Sequence, residues 1–149
     1  MSLEICKMME KGALYHKRLM TKILERFGLT YAQFVVIKAI YETPGITAKE
    51  ILSSQDTDKA TLSGILSRLE KNALIERRND PKDKRLVHIY LSDASKRICE
   101  EVTKIETNCQ TDLLKGIRTS KTKHFIDGFK QVLKNQEKLL KQTHEKENS

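Results

Sequence analysis

The side chains best suited to chemistry are the short hydroxyls and cations of one stretch: Lys59, Thr61, Ser63, Gly64, Ser67 and Arg68. Between them Leu62, Ile65, Leu66 and Leu69 recur at i, i+3, i+4 and i+7, the spacing of one apolar helix face. A helix that turns those residues inward presents the hydroxyls and cations outward. Such a face suits the major groove of duplex DNA, about 12 Å wide, where base edges meet short polar tips. Thr61 and Ser63 fall near the helix start, where orphan backbone N–H groups also favour phosphate. Gly64 offers no side-chain contact but permits close backbone approach.

A second basic cluster follows. From Lys71 to Arg85 there are six basic and three acidic residues. Arg77 and Arg78 stand where phosphate contacts are expected. Arg85 follows Asp83 by two positions, so the carboxylate can orient the guanidinium at a loop edge, with Lys84 between them. An oriented arginine suits a narrow, electronegative minor groove.

Other chemistries find little support. There is no nucleophile–base pair, phosphate-cradling glycine loop or metal-ligand spacing, so neither an enzyme nor a cofactor or metal site is expected. The net charge of +8 and pI of about 9.4 point to a polyanionic partner, either nucleic acid or an anionic membrane surface. Apolar runs such as Phe34-Val35-Val36-Ile37 fall far short of the ~18 residues of a membrane span. The helix stripes are needed for a core, so a membrane is not the expected partner. The first residues, MSLEICKMMEKG, lack the apolar run of a secretory signal. Cys6, Cys99 and Cys109 are odd in number and contain no CxxC, which suits a reducing, cytoplasmic setting.

Positioning the two basic clusters requires a compact middle between helical arms. Hydrophobic residues are 38% and charged residues 32%, against ~45–50% and ~25% in ordinary globular domains. That balance favours long solvated helices over a thick core. One structural domain is expected, with a first helical arm over 1–29, a compact region over 30–91 and C-terminal helices over 92–149. Ile5, Met9, Gly12, His16, Leu19, Ile23 and Phe27 mark one face of a helix from about Leu3 to Phe27, stopped by Gly28. Thr30–Gln33 and Thr47–Glu50 have the spacing of capping boxes. The first opens a helix with Phe34, Ile37, Ala39 and Ile40 inward; the second opens a short helix through about Ser54. Asp58 caps a third, from Lys59 to Lys71. Leu74–Arg78 and the alternating Val87, Ile89 and Leu91 read as strands around a proline-containing turn. Ser92 caps a long helix bearing Ile98, Val102, Ile105 and Cys109. A last helix begins near Ser120, and the tail from about Gln142 is expected to fray. The fold class is therefore mainly α with a small β-hairpin wing (α+β), a winged helix-turn-helix flanked by helical arms.

The segments Leu29–Phe34, Asp58–Ser63, Arg68–Lys71, Leu74–Arg77 and Asp80–Arg85, in this order and spacing, resemble the multiple-antibiotic-resistance regulator (MarR) family. The resemblance covers about Gly28 to Leu91. It implies a transcription regulator, more usually a repressor, that binds double-stranded DNA as an obligate homodimer. The first and last helices would interlock, and two half-sites would lie about one turn, ~34 Å, apart. By the same resemblance Thr61 and Ser63 lie on the groove-reading helix, Arg85 on the wing, and Asp83 orients Arg85. Three positions depart from the pattern. Gly64 replaces a frequent arginine. Ala73 replaces a usual glycine, leaving Asn72 to supply the turn. Ser95 stands where a glycine often follows the last strand.

Members of this family often respond to a small ligand or to oxidation. Cys6, 24 residues before Thr30, resembles the placement of the family's sensing thiols. However, Glu10 and Met20 stand where the hydroperoxide type carries tyrosines. A redox sensor and an inert thiol on a dimerising helix both remain open. Cys99 and Cys109 read as small buried hydrophobes. Tyr15, Leu19, Phe34 and Tyr41 could line a crevice for a phenolic or aromatic effector, or be ordinary core and interface residues.

Overall fold

The computed structural model describes the backbone over residues 2–147 and the side chains over residues 4–142. The elements run α1 (Ser2–Glu25), α2 (Tyr31–Glu42), α3 (Ala48–Ser54), α4 (Lys59–Lys71), β1 (Ile75–Asn79), β2 (Val87–Leu91), α5 (Asp93–Leu113) and α6 (Thr119–Glu147). Two compact units emerge, Met1–Ile105 and Glu106–Ser149.

Local chemistry sets the helix boundaries in the first unit. Leu29 N–H donates to Leu24 O at 3.2 Å and Gly28 N–H to Glu25 O at 3.2 Å, while Gly28 holds φ +65°. This is a Schellman ending, and buried Leu24 and Leu29 supply its apolar contact. The helix thus stops at Glu25, two residues before the expected end. Both capping boxes form: Thr30 Oγ1 accepts from Gln33 N and Thr47 Oγ1 from Glu50 N, with each partner side chain returning a bond. Ser92 Oγ accepts from Ser95 N at the start of α5.

The core gathers Met20 and Leu24 of α1, Phe34, Val36, Ile37 and Ile40 of α2, Ile51 of α3, and Leu62, Ile65, Leu66 and Leu69 of α4. Ile75, Ile89 and Leu91 of the hairpin and Cys99 and Val102 of α5 complete it. Each large apolar side chain so buried contributes about 1.5–3 kcal/mol. Of the expected stripe, Ile23 and Phe27 pack against the core, but the residues that anchor α1 are others. Met20 and Leu24 are buried, whereas Ile5 and Leu19 are exposed.

The strands pair antiparallel from Ile75↔Leu91 to Asn79↔Val87, so β1 starts one residue later than expected. The α2–α3 connection borders the other edge of β2: Gly45 N–H donates to Ile89 O at 3.0 Å, and Ile89 N–H to Ile46 O at 3.1 Å. The Pro44-Gly45 turn therefore also serves as a short backbone brace for the hairpin.

Two departures from the family pattern gain a physical account. Asn72 does not supply the turn after α4; its φ is −87°. Ala73 does, at φ +54°, with Ala73 N–H donating to Glu70 O and Leu74 N–H to Leu69 O, both at 2.9 Å. Ser95 is fully buried and its hydroxyl donates to Leu74 O, which also accepts Ser92 N–H. The hydroxyl that a glycine would lack ties α5 to the end of the α4 turn.

In the second unit, Gly116 at φ +85° turns the chain before α6. The rings of Phe125 and Phe129 stack at 6.2 Å. The helix continues to Glu147, past the fraying expected from Gln142; Asn148 and Ser149 lie outside the described residues.

Candidate nucleic-acid interface

Burial divides α4 into two faces. Leu62, Ile65, Leu66 and Leu69 are buried, and Lys59, Thr61, Ser63, Gly64, Ser67 and Arg68 are all exposed. The hydroxyl-and-cation face thus reaches solvent as one surface. Lys59, Ser63 and Arg77 also border a hollow of about 430 Å³ between α3, α4 and β1, with Leu52, Leu62 and Leu66 in its lining.

The start of α4 is polarised by its cap. Asp58 Oδ1 accepts Thr61 N–H at 2.8 Å and Asp58 Oδ2 accepts the Thr61 hydroxyl at 2.6 Å. The Thr61 hydroxyl hydrogen bonds hold the Asp58 carboxyl below the usual carboxylate range. Since the hydroxyl proton is committed to Asp58, Thr61 presents lone pairs outward. It can accept from adenine N6 or cytosine N4 but cannot donate to guanine O6 or phosphate.

The wing turn is organised by two aspartates. Asp80 Oδ1 accepts Lys82 N–H at 2.7 Å and Asp83 N–H at 3.0 Å, and Asp80 N–H donates to Leu86 O at 2.9 Å. Asp83 accepts from the Arg85 backbone N–H at 3.0 Å, Nε at 3.1 Å and Nη2 at 3.4 Å. The Arg85 side chain is nevertheless 92% exposed. Lys84 is exposed beside it. The Arg85 guanidinium, through its hydrogen bonds, holds the Asp83 carboxyl below its ordinary value.

The arginines at the hairpin base are differently placed. Arg77 Nε lies 3.2 Å from Glu70 of α4, which ties the strand to the helix end. Arg78 Nη2 lies 2.9 Å from Glu76, and its guanidinium sits 4.7 Å from the Tyr90 ring centroid. Both are exposed but already paired, so contact with phosphate would compete with a carboxylate.

Sequence patterning missed the seat of the wing. His88 Nδ1 lies 2.7 Å from Gly45 O and Nε2 lies 3.0 Å from Asp80 Oδ2. Gly45, at φ +85°, would place a Cβ 2.9 Å from Tyr90 Oη. Any other residue would be strained at that backbone angle and would have to push the Tyr90 hydroxyl aside. Alternation in β2 was legible, but the facing carbonyl, 43 residues away in sequence, carried no local signal.

The remaining candidates do not gather on this surface. Phe34 is buried in the core, while Tyr15, Leu19 and Tyr41 are exposed; Lys11 Nζ stands 5.5 Å from the Tyr15 ring centroid. Cys6 is exposed. Cys99 is buried, and desolvation pushes its thiol up to about 11.

A family model described as the MarR family matches residues 29–87, the stretch that contains α2, α3, α4 and most of the hairpin. Over those residues the chain is similar to the MarR family. The transcriptional regulator YsmB of Bacillus subtilis is 35% identical over 81 residues, 54% of this chain and 56% of that protein. The chain thus spans little more than half the length of the curated relatives it matches. Apo MarR of E. coli aligns with a TM-score of 0.74 at 26% identity, over 85% of this chain and 95% of that one. FabT of Streptococcus pneumoniae, solved in complex with DNA, aligns at 0.84 with 18% identity, over 93% and 99%. The winged helix-turn-helix fold expected from the sequence is therefore the fold observed. No helix among the described residues is long and apolar enough to cross a membrane.

Proposed function

We propose that this chain is a transcription regulator that binds duplex DNA as a homodimer, with α4 in the major groove and the wing arginine in the adjacent minor groove. One observation carries the reading: α4 buries every large apolar residue it has and exposes a face of hydroxyls and cations. Arg85, held by Asp83, extends that basic character to the wing tip. The net charge of +8 favours a polyanion over a protein partner. YsmB carries the description of a transcriptional regulator, and a protein of the same fold was solved on DNA.

Dimerisation draws support from apolar side chains left exposed on both terminal helices. Ile5 and Leu19 on α1, and Phe125, Phe129, Leu139 and Leu140 on α6, are each more than a third exposed. On each helix, large apolar side chains left this exposed favour burial against a partner. Repression, with release by a phenolic or aromatic ligand or an oxidant, extends the same reading.

The test is selection of bound sites from random duplex DNA, with light scattering of the free protein. An inverted repeat with half-sites about one helical turn apart, ~34 Å, and a dimer mass are expected. Binding should fall steeply with salt as phosphate contacts release counterions. Recovery of no motif would remove the assignment.

A further inference from the structure

We propose that His88 is the positioning residue of the wing, and that its imidazolium form holds the wing in the posture that lets Arg85 engage DNA. The proposal rests on the DNA-binding reading above. It comes from the partners of the ring. Nδ1 faces the Gly45 carbonyl at 2.7 Å and Nε2 faces the Asp80 carboxylate at 3.0 Å. Both partners only accept. A neutral imidazole has one N–H and one lone pair, so it satisfies one partner and repels the other. Only the doubly protonated ring makes both bonds.

The two bonds join the helical body of the winged domain to its wing. Gly45 belongs to the connection between α2 and α3. Asp80 is the residue that shapes the wing turn by accepting Lys82 and Asp83 N–H. Asp83 in turn holds Arg85. A continuous chain of hydrogen bonds therefore runs from the helix-turn-helix, through His88 and Asp80, to the wing guanidinium.

The surrounding charges favour the protonated ring. Glu50 of α3 lies near enough to stabilise positive charge; Lys49, which with Glu50 and His88 lines a second hollow beside the α2–α3 connection, carries the opposing charge. Arg78 is paired with His88 across the strands, but its guanidinium is engaged by Glu76. The Gly45 carbonyl first, then Asp80, raises the His88 pKa above its ordinary value, with partial desolvation opposing. Asp80 is held below the ordinary carboxylate value, chiefly by the Asp83 and Lys82 amides, and stays ionised. The sign follows. The latch is complete below the ordinary histidine value and is lost as pH rises through the raised one.

The experiment has two arms. Affinity for a selected duplex is measured from about pH 5.5 to about pH 8.5 at constant ionic strength, spanning the histidine range. The expected result is a several-fold loss in the wild type on going upward, flattened in His88→Gln and also in Arg85→Ala, because the effect passes through the wing. Retention of the wild-type slope in His88→Gln overturns the proposal. Without DNA, NMR follows the His88 ring together with the exchange protection of the Lys82 and Asp83 amides. Protection that drops as the ring deprotonates supports the latch; protection indifferent to the ring overturns it. Should no duplex bind at any pH, the regulator reading fails and the NMR arm still decides the latch.

Discussion

Asp83 binds Arg85 through three contacts, to the backbone N–H, Nε and Nη2, yet leaves the arginine side chain 92% exposed. The pair stabilises the folded chain little, because an exposed ion pair is screened by water and salt. Its consequence is orientation. An arginine that would otherwise sample many rotamers is held at the wing tip before any partner arrives. Arg85→Ala should weaken binding to a selected duplex roughly ten- to a hundredfold, the range of a groove contact. Asp83→Asn keeps an acceptor but loses the charge, and should cost less. Anisotropy titrations of both variants, with Tm unchanged, check the assignment; equal affinity in wild type and Arg85→Ala counts against a wing role.

Thr61 offers a cleaner test of base reading. Its hydroxyl proton goes to Asp58, so only lone pairs face outward. Thr61→Val keeps the shape and removes the acceptor. We expect the preference for adenine or cytosine at one position of each half-site to relax, while binding to unrelated duplex is unchanged. Site selection with the variant reads this directly, and an unaltered preference would show that Thr61 meets no base.

Ala73 is in the left-handed region at φ +54° without needing its side chain there. A non-glycine residue is strained in that region, and Ala73→Gly relieves the clash at the cost of a more flexible unfolded chain. The balance is a gain of about 1 kcal/mol. Urea unfolding should show a higher midpoint at constant slope. Asn72→Gly, at φ −87°, should bring no such gain.

Cys99 is buried and its thiol is raised to about 11 by desolvation. At neutral pH it carries almost no thiolate. A thiol reagent should label it only as fast as the chain unfolds, so its rate should follow denaturant. Mass mapping of labelled peptides, with Cys6 as the exposed internal reference, makes the comparison; fast labelling of native Cys99 would contradict its burial.

Much of the fold was legible because local rules decide it. The capping boxes at Thr30–Gln33 and Thr47–Glu50, the Asp58 cap and the Leu62-Ile65-Leu66-Leu69 face each involve residues within one or two turns. Their hydrogen bonds and periodicity are therefore written within a few residues of sequence. The Asp83–Arg85 contact was legible for the same reason. The capping bond that fixes the polarity of Thr61 was within reach too, since Asp58 and Thr61 are three residues apart.

By itself, then, the sequence determined where α2, α3 and α4 begin, which face of α4 is apolar, and that a basic wing follows. Only the tertiary structure decided that Ala73, not Asn72, turns the chain after α4. It alone decided that Met20 and Leu24 anchor α1 and that Arg77 reaches Glu70 on the preceding helix. It also brought Gly45, His88 and Tyr90 together at the wing base. The physical reason is sequence separation. A helix cap is selected by neighbours a turn away, whereas the acceptor for His88 Nδ1 is a carbonyl on another segment, and only the packed core brings the two within 2.7 Å.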